Sequence, residues 1–459
     1  MATTTDERWQ NTTAGTHKEP DVDYGQLPPG YRLPALVQSF VFMRFRHEFV
    51  PHLRRKFGET FTVRLLPKSR PLTLFTTPDT TKQIFGGDPA TLHAGKGNAI
   101  LGPVMGEHSL LLVDGADHKR ARKLLMPAFR AQALKDYEGV VTQLAREECA
   151  RWDTGTEFRS LERMNALTLE VILQVVFGVT DEQRLAKLRP LVLATVDIRP
   201  IVLLGWAYPR LQHYGPWKGV VETQRALDDL IYAEIAERRQ ATDLSERNDV
   251  LSQLLTVGAD EGEVPLTDAE LRDQLVTLLL AGHETTASGL SWALYELGRH
   301  PDLMRRAQRA VDEGDGDYLE AVMKESLRLH PVIPMVVRYL MEPVTIGGWR
   351  LPAGASIGPS ILLAHQDEDN FPQAQEFRPE RFAKGSTEKI APNTWIPFGG
   401  GVRRCIGAGF SLMEGVAVLR EVLATYDVSV VDGHDDKPKV RNITSVPARG
   451  ARIVVQPRS

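Results

Sequence analysis

The sequence predicts a mainly α protein with small β-sheets toward both ends of the chain, built as a single large domain. Three observations carry this. From about Asp114 to Gly298, apolar residues recur at three- and four-residue spacing with charge on the opposite face. Short β-like runs lie before that stretch and again after Val344. At 459 residues the chain has length for several domains, yet no repeat, low-complexity block or obvious linker divides it.

Residues 1–26 are polar and read as a flexible tail, closed by the stiff turn "LPPG" at Leu27–Gly30, so the folded domain is expected over 27–459. The tail lacks the apolar core of a signal peptide. The most apolar early stretch, "LPALVQSFVFMRF", is broken by Arg44 and Arg46. No run reaches the ~18 to 20 apolar residues that span a bilayer, so no transmembrane anchor is expected. A net charge of −4 gives no global attraction to nucleic acid or to an anionic membrane. Two cysteines far apart, Cys149 and Cys405, make no disulfide framework and fit a reducing, cytoplasmic setting.

Next, "FTVRLLPKSRPLTLFTT" gives two β-like runs around a Lys-Ser-Arg turn, a hairpin. "LKDYEGVVTQLAREECARW" and "VVETQRALDDLIYAEIAERRQ" are amphipathic helices, and Cys149 in the first reads as a buried packing residue. Ile201–Trp217 is aromatic-rich and interrupted by glycine and proline: either core packing or a lid over an apolar pocket. "LVTLLLAGHETTASGLSWALYEL" is a nearly all-apolar helix with Glu284, Thr285 and Thr286 in its middle. A carboxylate there is costly unless it is paired or used, and Gly282 would permit a local opening of the helix. Strand signals return at Val344–Ile357, "YDVSVV" and "ARIVVQP".

The stretch "FGGGVRRCIG", Phe398–Gly407, sets one cysteine in a glycine-rich loop ahead of a helix pattern. A nucleophilic cysteine usually needs a histidine, and none lies near Cys405 in sequence; zinc would need further ligands at ligand spacing. One thiolate is enough for haem iron, because the porphyrin brings four nitrogens of its own. The glycines let backbone N–H groups turn to the sulfur, and the helix after it offers its positive end.

This loop resembles the haem loop of the cytochromes P450, F-x-x-G-x-R-x-C-x-G, with Phe398, Gly401, Arg403, Cys405 and Gly407 at the fixed positions. The resemblance runs from "LPPG" to the last strands and finds its companions elsewhere. "AGHET" is similar to the family's oxygen-activating stretch, which implies that Thr285 hydrogen-bonds oxygen at the iron and Glu284 relays protons. "KESLRLHP" with "FRPERF" implies a structural triad of Glu325, Arg328 and Arg381 bracing the cysteine loop. "HKRAR" places His118 and Arg122 four apart on one helical face, as in the family's propionate-binding helix; tryptophan is commoner where His118 stands. Arg338 and Arg403 match two further propionate partners, and His365 a common structural histidine. The brief link between "PDLMRRAQRA" and "EAVMKESLRL" implies that a small helix of many relatives is missing.

What the resemblance implies is the cytochrome P450 fold, with haem b between the long central helix and the cysteine loop, and Cys405 as the axial ligand. The activity implied is monooxygenation of a small lipophilic substrate by O2. Electrons would come from a separate ferredoxin or flavodoxin and its NAD(P)H-dependent reductase, attracted by a basic patch of Lys119, Arg120, Lys123 and Arg404. A peroxygenase or isomerase on the same fold would not need the Glu284–Thr285 pair, and a gas or redox sensor without turnover would leave it unexplained. Aliphatic segments at Ile100–Leu112, Ile201–Trp217, Leu279–Ala281, Val332–Val337 and Ile443–Val446 are the expected pocket walls, favouring a fatty acid, terpene, steroid or similar molecule.

Overall fold

A computed structural model describes residues 26–66, 70–196, 213–260, 264–431 and 435–458. The expected tail (1–26) therefore lies almost wholly outside the described residues, as does most of Ile201–Trp217.

The first helices, α1 (Ala35–Arg44) and α2 (Arg46–Phe57), lead into the expected hairpin, β1 (Thr60–Leu65) and β2 (Arg70–Phe75), antiparallel with Leu65 opposite Arg70. After α3 (Pro78–Phe85), a two-residue strand β3 (Leu92–His93) precedes α4 (Gly115–Leu125) and α5 (Ala131–Cys149). A second short strand, β4 (Phe158–Arg159), opens α6 (Ser160–Phe177), followed by α7 (Glu182–Val196), α8 (Gly215–Arg239) and α9 (Val250–Asp260). Cys149 is buried, and burial pushes its thiol up to about 12, which suits a packing residue.

The central helix α10 (Asp268–Arg299) begins with a capping box, in which Thr267 and Glu270 satisfy each other's backbone N–H groups. Its 32 residues make it about 48 Å long. It packs against α6 along much of its length. Then α11 (Pro301–Glu313) and α12 (Gly316–Leu329) follow with only Gly314 and Asp315 between them. Gly314 takes a left-handed conformation (φ 70°) and Asp315 caps α12, so there is no room for an intervening helix. Strands β5 (Arg338–Leu340), β6 (Val344–Ile346), β7 (Trp349–Leu351) and β8 (Ser356–Pro359) precede the short α13 (Ile361–His365). The chain ends with α14 (Ala408–Thr425), β9 (Tyr426–Ser429), β10 (Pro438–Arg441), β11 (Thr444–Pro447) and β12 (Arg452–Pro457).

The strands gather into a five-stranded sheet, β1-β2-β8-β5-β3, a three-stranded sheet, β4-β12-β9, and two hairpins, β6–β7 and β10–β11. Among the described residues only the β2–β8 pairing is parallel. The largest apolar cluster joins α5, α6, α10, α12 and α14, while two smaller ones lie against the five-stranded sheet. The helical core thus fixes α10 and α14 relative to each other, and the site lies on those two helices. Among the described residues no single helix is long and apolar enough to cross a membrane.

Candidate active site

The cysteine loop is closed by its own backbone. Cys405 N–H donates to the Phe398 carbonyl at 2.9 Å, and Arg404 N–H to Gly401 at 3.1 Å. Gly401 is left-handed (φ 63°), and a Cβ there would meet the Phe85 carbonyl oxygen at 2.0 Å, so only glycine lets the loop lie on the end of α3. Phe398 packs edge-on against Trp395. At Gly407 a Cβ would meet nothing within 4 Å, and α14 starts at the next residue.

Cys405 is exposed, yet the protein around it pushes its thiol pKa upward. The Gly407 N–H, then Arg122 and Arg404, pull the other way and favour the thiolate.

Helix α10 has one interruption in its burial. Leu271–Leu279 and Thr286–Leu297 are buried, but Ala281 is exposed and Thr285, one turn later, half-buried. The Thr285 hydroxyl donates to the Ala281 carbonyl at 2.7 Å, so its oxygen keeps acceptor capacity. Glu284, on the neighbouring face, has a side chain only 7% exposed and an oxygen 3.1 Å from Arg441 Nε of β10. The helix runs unbroken through Gly282. The expected opening there is thus absent: a Cβ at Gly282 would lie 2.6 Å from Ile172 Cδ1, so the glycine serves the close approach of α6.

Four nitrogenous side chains gather near the cysteine loop. His118 is buried, and its pKa is lowered to about 4 by burial and by Arg403, Arg122 and Arg338. Burial, then Arg403, lowers Arg338 to about 10. Arg403 is lowered by burial, opposed by its ion pair with Asp114, and it also donates to the Leu110 carbonyl at 3.1 Å and to that of Val113. Arg122 is lowered by burial and opposed by Cys405, and makes no ion pair among the described residues. Among the described residues Asp114 is the one carboxylate acting on His118, Arg338 and Arg403, so with His118 neutral this group keeps a surplus of positive charge. That surplus, beside the Cys405 sulfur, fits a group that bears two carboxylates and an iron able to take a thiolate ligand. Haem fits this donor set.

Behind the loop lies a buried brace. Arg328 forks onto Glu325 at 2.7 and 2.8 Å, and Arg381 reaches the same carboxylate at 3.3 Å. Arg328 also donates to the His365, Ala374 and Glu376 carbonyls. His365 Nε2 accepts the Ile396 N–H at 2.9 Å, two residues before the loop. Its pKa is lowered to about 3 by burial, so it stays neutral and able to accept.

One expected grouping changes. Arg120 is not part of an open basic patch: it pairs with Glu270 at 2.5 Å and donates to the Val264 carbonyl. Lys119, Lys123 and Arg404 remain exposed. The Ile100–Leu112 loop is latched to α10: Asp273 accepts the His108 N–H at 3.0 Å, and Gln274 accepts that of Leu110 at 3.0 Å. Sequence reasoning missed Asp114, whose place just ahead of α4 was the only signal, and Arg441, which carries no local signal at all.

A family model described as Cytochrome P450 matches residues 27–454. The relative named cytochrome P450 135A1 of Mycobacterium tuberculosis is 49% identical over 433 residues, covering 94% of this chain and 96% of its own length. Cytochrome P450 135B1 of Mycobacterium bovis is 40% identical over 436 residues, covering 94% and 91%. Retinoic acid-bound cyanobacterial CYP120A1 superposes with a TM-score of 0.81 at 24% identity, over 94% of this chain and 99% of that one. The cytochrome P450DA heme domain gives 0.82 at 22% identity, over 94% and 98%, and both likenesses concern the fold alone.

Proposed function

This chain belongs to the cytochrome P450 family, and from that premise we propose that it hydroxylates a small lipophilic substrate with electrons from a separate ferredoxin or flavodoxin and its NAD(P)H-dependent reductase. Family membership makes it a haem-thiolate monooxygenase that binds haem b through a cysteine thiolate. We assign that thiolate to Cys405. The observation that carries the assignment is the Cys405 sulfur itself, exposed in a loop that its own backbone closes, with the Gly407 N–H, Arg122 and Arg404 favouring its thiolate.

When bound, the haem supplies the electron-accepting and oxygen-activating chemistry. The Gly407 N–H and the charges of Arg122 and Arg404 favour the Cys405 thiolate against the burial that pushes its thiol up. Arg122, Arg338 and Arg403 would offer their positive charge to the propionates, and neutral His118 a hydrogen bond. Thr285, its proton committed to Ala281, accepts a hydrogen bond from a protonated neighbour and steadies it. Glu284 holds or passes a proton, drawing on water at the partly exposed Arg441.

Lipophilic character is supported by the walls. Val104, Val221, Leu280 and Trp217 pack as one apolar cluster beside Ala281. The Ser445 N–H bonds the Val332 carbonyl at 2.8 Å, which ties the last hairpin to the Val332–Val337 wall. The test is a spectral binding screen of fatty acids, terpenes and steroids, followed by product analysis with a surrogate redox chain. Binding spectra with NAD(P)H-dependent product are expected from at least one class. Turnover restricted to hydrophilic molecules would refute the substrate reading.

A further inference from the structure

The position just ahead of a helix is where a short acidic side chain ordinarily caps the first backbone N–H groups, yet Asp114, in that place before α4, makes no cap bond. Its carboxylate turns to other partners. Oδ1 accepts the Gly95 N–H at 2.9 Å and a second bond from the Arg403 guanidinium. Oδ2 accepts the Lys96 N–H at 3.0 Å and stands 3.4 Å from His93 Nδ1. The approach is close: a Cβ at Gly95 would meet the Leu112 carbonyl oxygen at 2.0 Å and Asp114 Oδ2 at 2.7 Å. Glycine is what admits the carboxylate to the turn Ala94–Gly97.

Each contact leads to a different nitrogenous group of the site. Asp114 directly precedes α4, which carries His118 and Arg122. Arg403 belongs to the cysteine loop. His93 lies on β3 opposite Tyr339 of β5, and Arg338 is the residue before Tyr339. The segment leading to Asp114 is strapped from two sides: Asn98 Nδ2 donates to the Leu111 carbonyl at 3.2 Å, and Arg403 donates to those of Leu110 and Val113. The Asp114 side chain is only 12% exposed, so water screens its charge poorly from the cations around it.

We propose that Asp114 is the positioning residue of the propionate side: its carboxylate gathers the elements that bear His118, Arg122, Arg338 and Arg403, and its charge holds down the electron affinity of the bound haem. It acts through those side chains. The proposal rests on Cys405 being the haem ligand, and it deepens that reading by naming a group of this chain that sets the reduction potential. A poorly screened negative charge opposes the arrival of an electron nearby. Removing it leaves the arginines unopposed and makes reduction easier.

The test is a spectroelectrochemical titration of the haem-loaded chain beside Asp114→Asn and Asp114→Ala. Asp114→Asn keeps an acceptor oxygen for the turn and loses the charge. Its haem content and the thiolate-type Soret band of its reduced carbonyl complex should match the parent, while its ferric/ferrous midpoint potential shifts upward. Asp114→Ala loses the acceptor as well, so the upward shift should be joined by several-fold faster haem transfer to apomyoglobin. A role in folding alone would speed haem loss and leave the potential where it was. The proposal is overturned if the midpoint of Asp114→Asn equals or falls below the parent's, or if that variant cannot be loaded with haem. It is overturned equally if Asp114→Ala holds haem as firmly as the parent. A parent with no thiolate band would instead overturn the Cys405 assignment.

Discussion

Glu284 Oε1 stands 3.1 Å from Arg441 Nε, so the buried acid of the central helix is held by a cation from the last hairpin of the chain. Arg441 is about one-third exposed and Glu284 almost fully buried, so the pair spans the boundary between outer water and the helix interior. It also sets the electrostatics next door: His283 has its pKa lowered to about 4, by burial first and by Arg441 second.

Removing that cation makes protonation of His283 easier, so Arg441→Gln should raise the His283 pKa from about 4. Proton NMR of the imidazole against pH checks it. The same variant should couple NAD(P)H less well to product and keep its substrate affinity. An unchanged His283 titration would show that Arg441 exerts no field at this turn of α10.

Thr285→Ala removes the hydroxyl at the exposed turn of α10 and leaves the propionate partners alone. Haem content should match the parent, while product per NAD(P)H falls at least about tenfold and peroxide rises, in line with the usual worth of a positioned proton-handling group. Peroxide-driven turnover should suffer less. Equal coupling in variant and parent would remove Thr285 from the proton path.

The brace behind the loop should be costly to break. Glu325→Ala leaves Arg328 and Arg381, both fully buried, without their shared carboxylate. A loss of about 3–5 kcal/mol is expected on breaking one side of a buried pair. Urea unfolding of the haem-loaded chain measures it, with faster haem loss from the loosened loop. A change under about 1 kcal/mol would mean that the carbonyls around the two arginines hold the loop unaided.

How much was legible in advance follows from how local each feature is. The Cys405 loop lies in ten consecutive residues whose glycines, arginine and cysteine each answer a need of the same turn. The brace was readable only through the resemblance, since Glu325 and Arg328 on one helical turn would otherwise read as a surface pair, and the brevity of the link before α12 was visible while its cap at Asp315 was not. Arg441 was not readable, since nothing near it in sequence says that β10 ends over α10. Gly282 was read as permitting a local opening of the helix, and its close neighbour Ile172, on another helix, carried no signal in the sequence. Arg120 looked exposed from its place on α4, and only the fold brings Glu270 to it. Strands of two residues, such as β3 and β4, carry no periodicity and exist because β5 and β12 pair with them.

The exposed cations left after Arg120 is discounted are Lys119, Lys123 and Arg404. Reversing Lys119 and Lys123 to Glu should lower ferredoxin-driven turnover several-fold at low salt and flatten its dependence on ionic strength. Substrate affinity and peroxide-driven turnover should hold. Partner reduction indifferent to both reversals would move the docking face elsewhere.

The central claim is that Cys405 is the one protein ligand to the haem iron, and the spectrum of the reduced carbonyl complex tests it most directly. Cys149 is buried in α5 with a thiol pushed up to about 12, so it has neither access nor thiolate character. Cys149→Ala should therefore keep the red-shifted, thiolate-type Soret band, and Cys405→Ala should lose it altogether. A Cys405→Ala protein that retained that band would contradict the account.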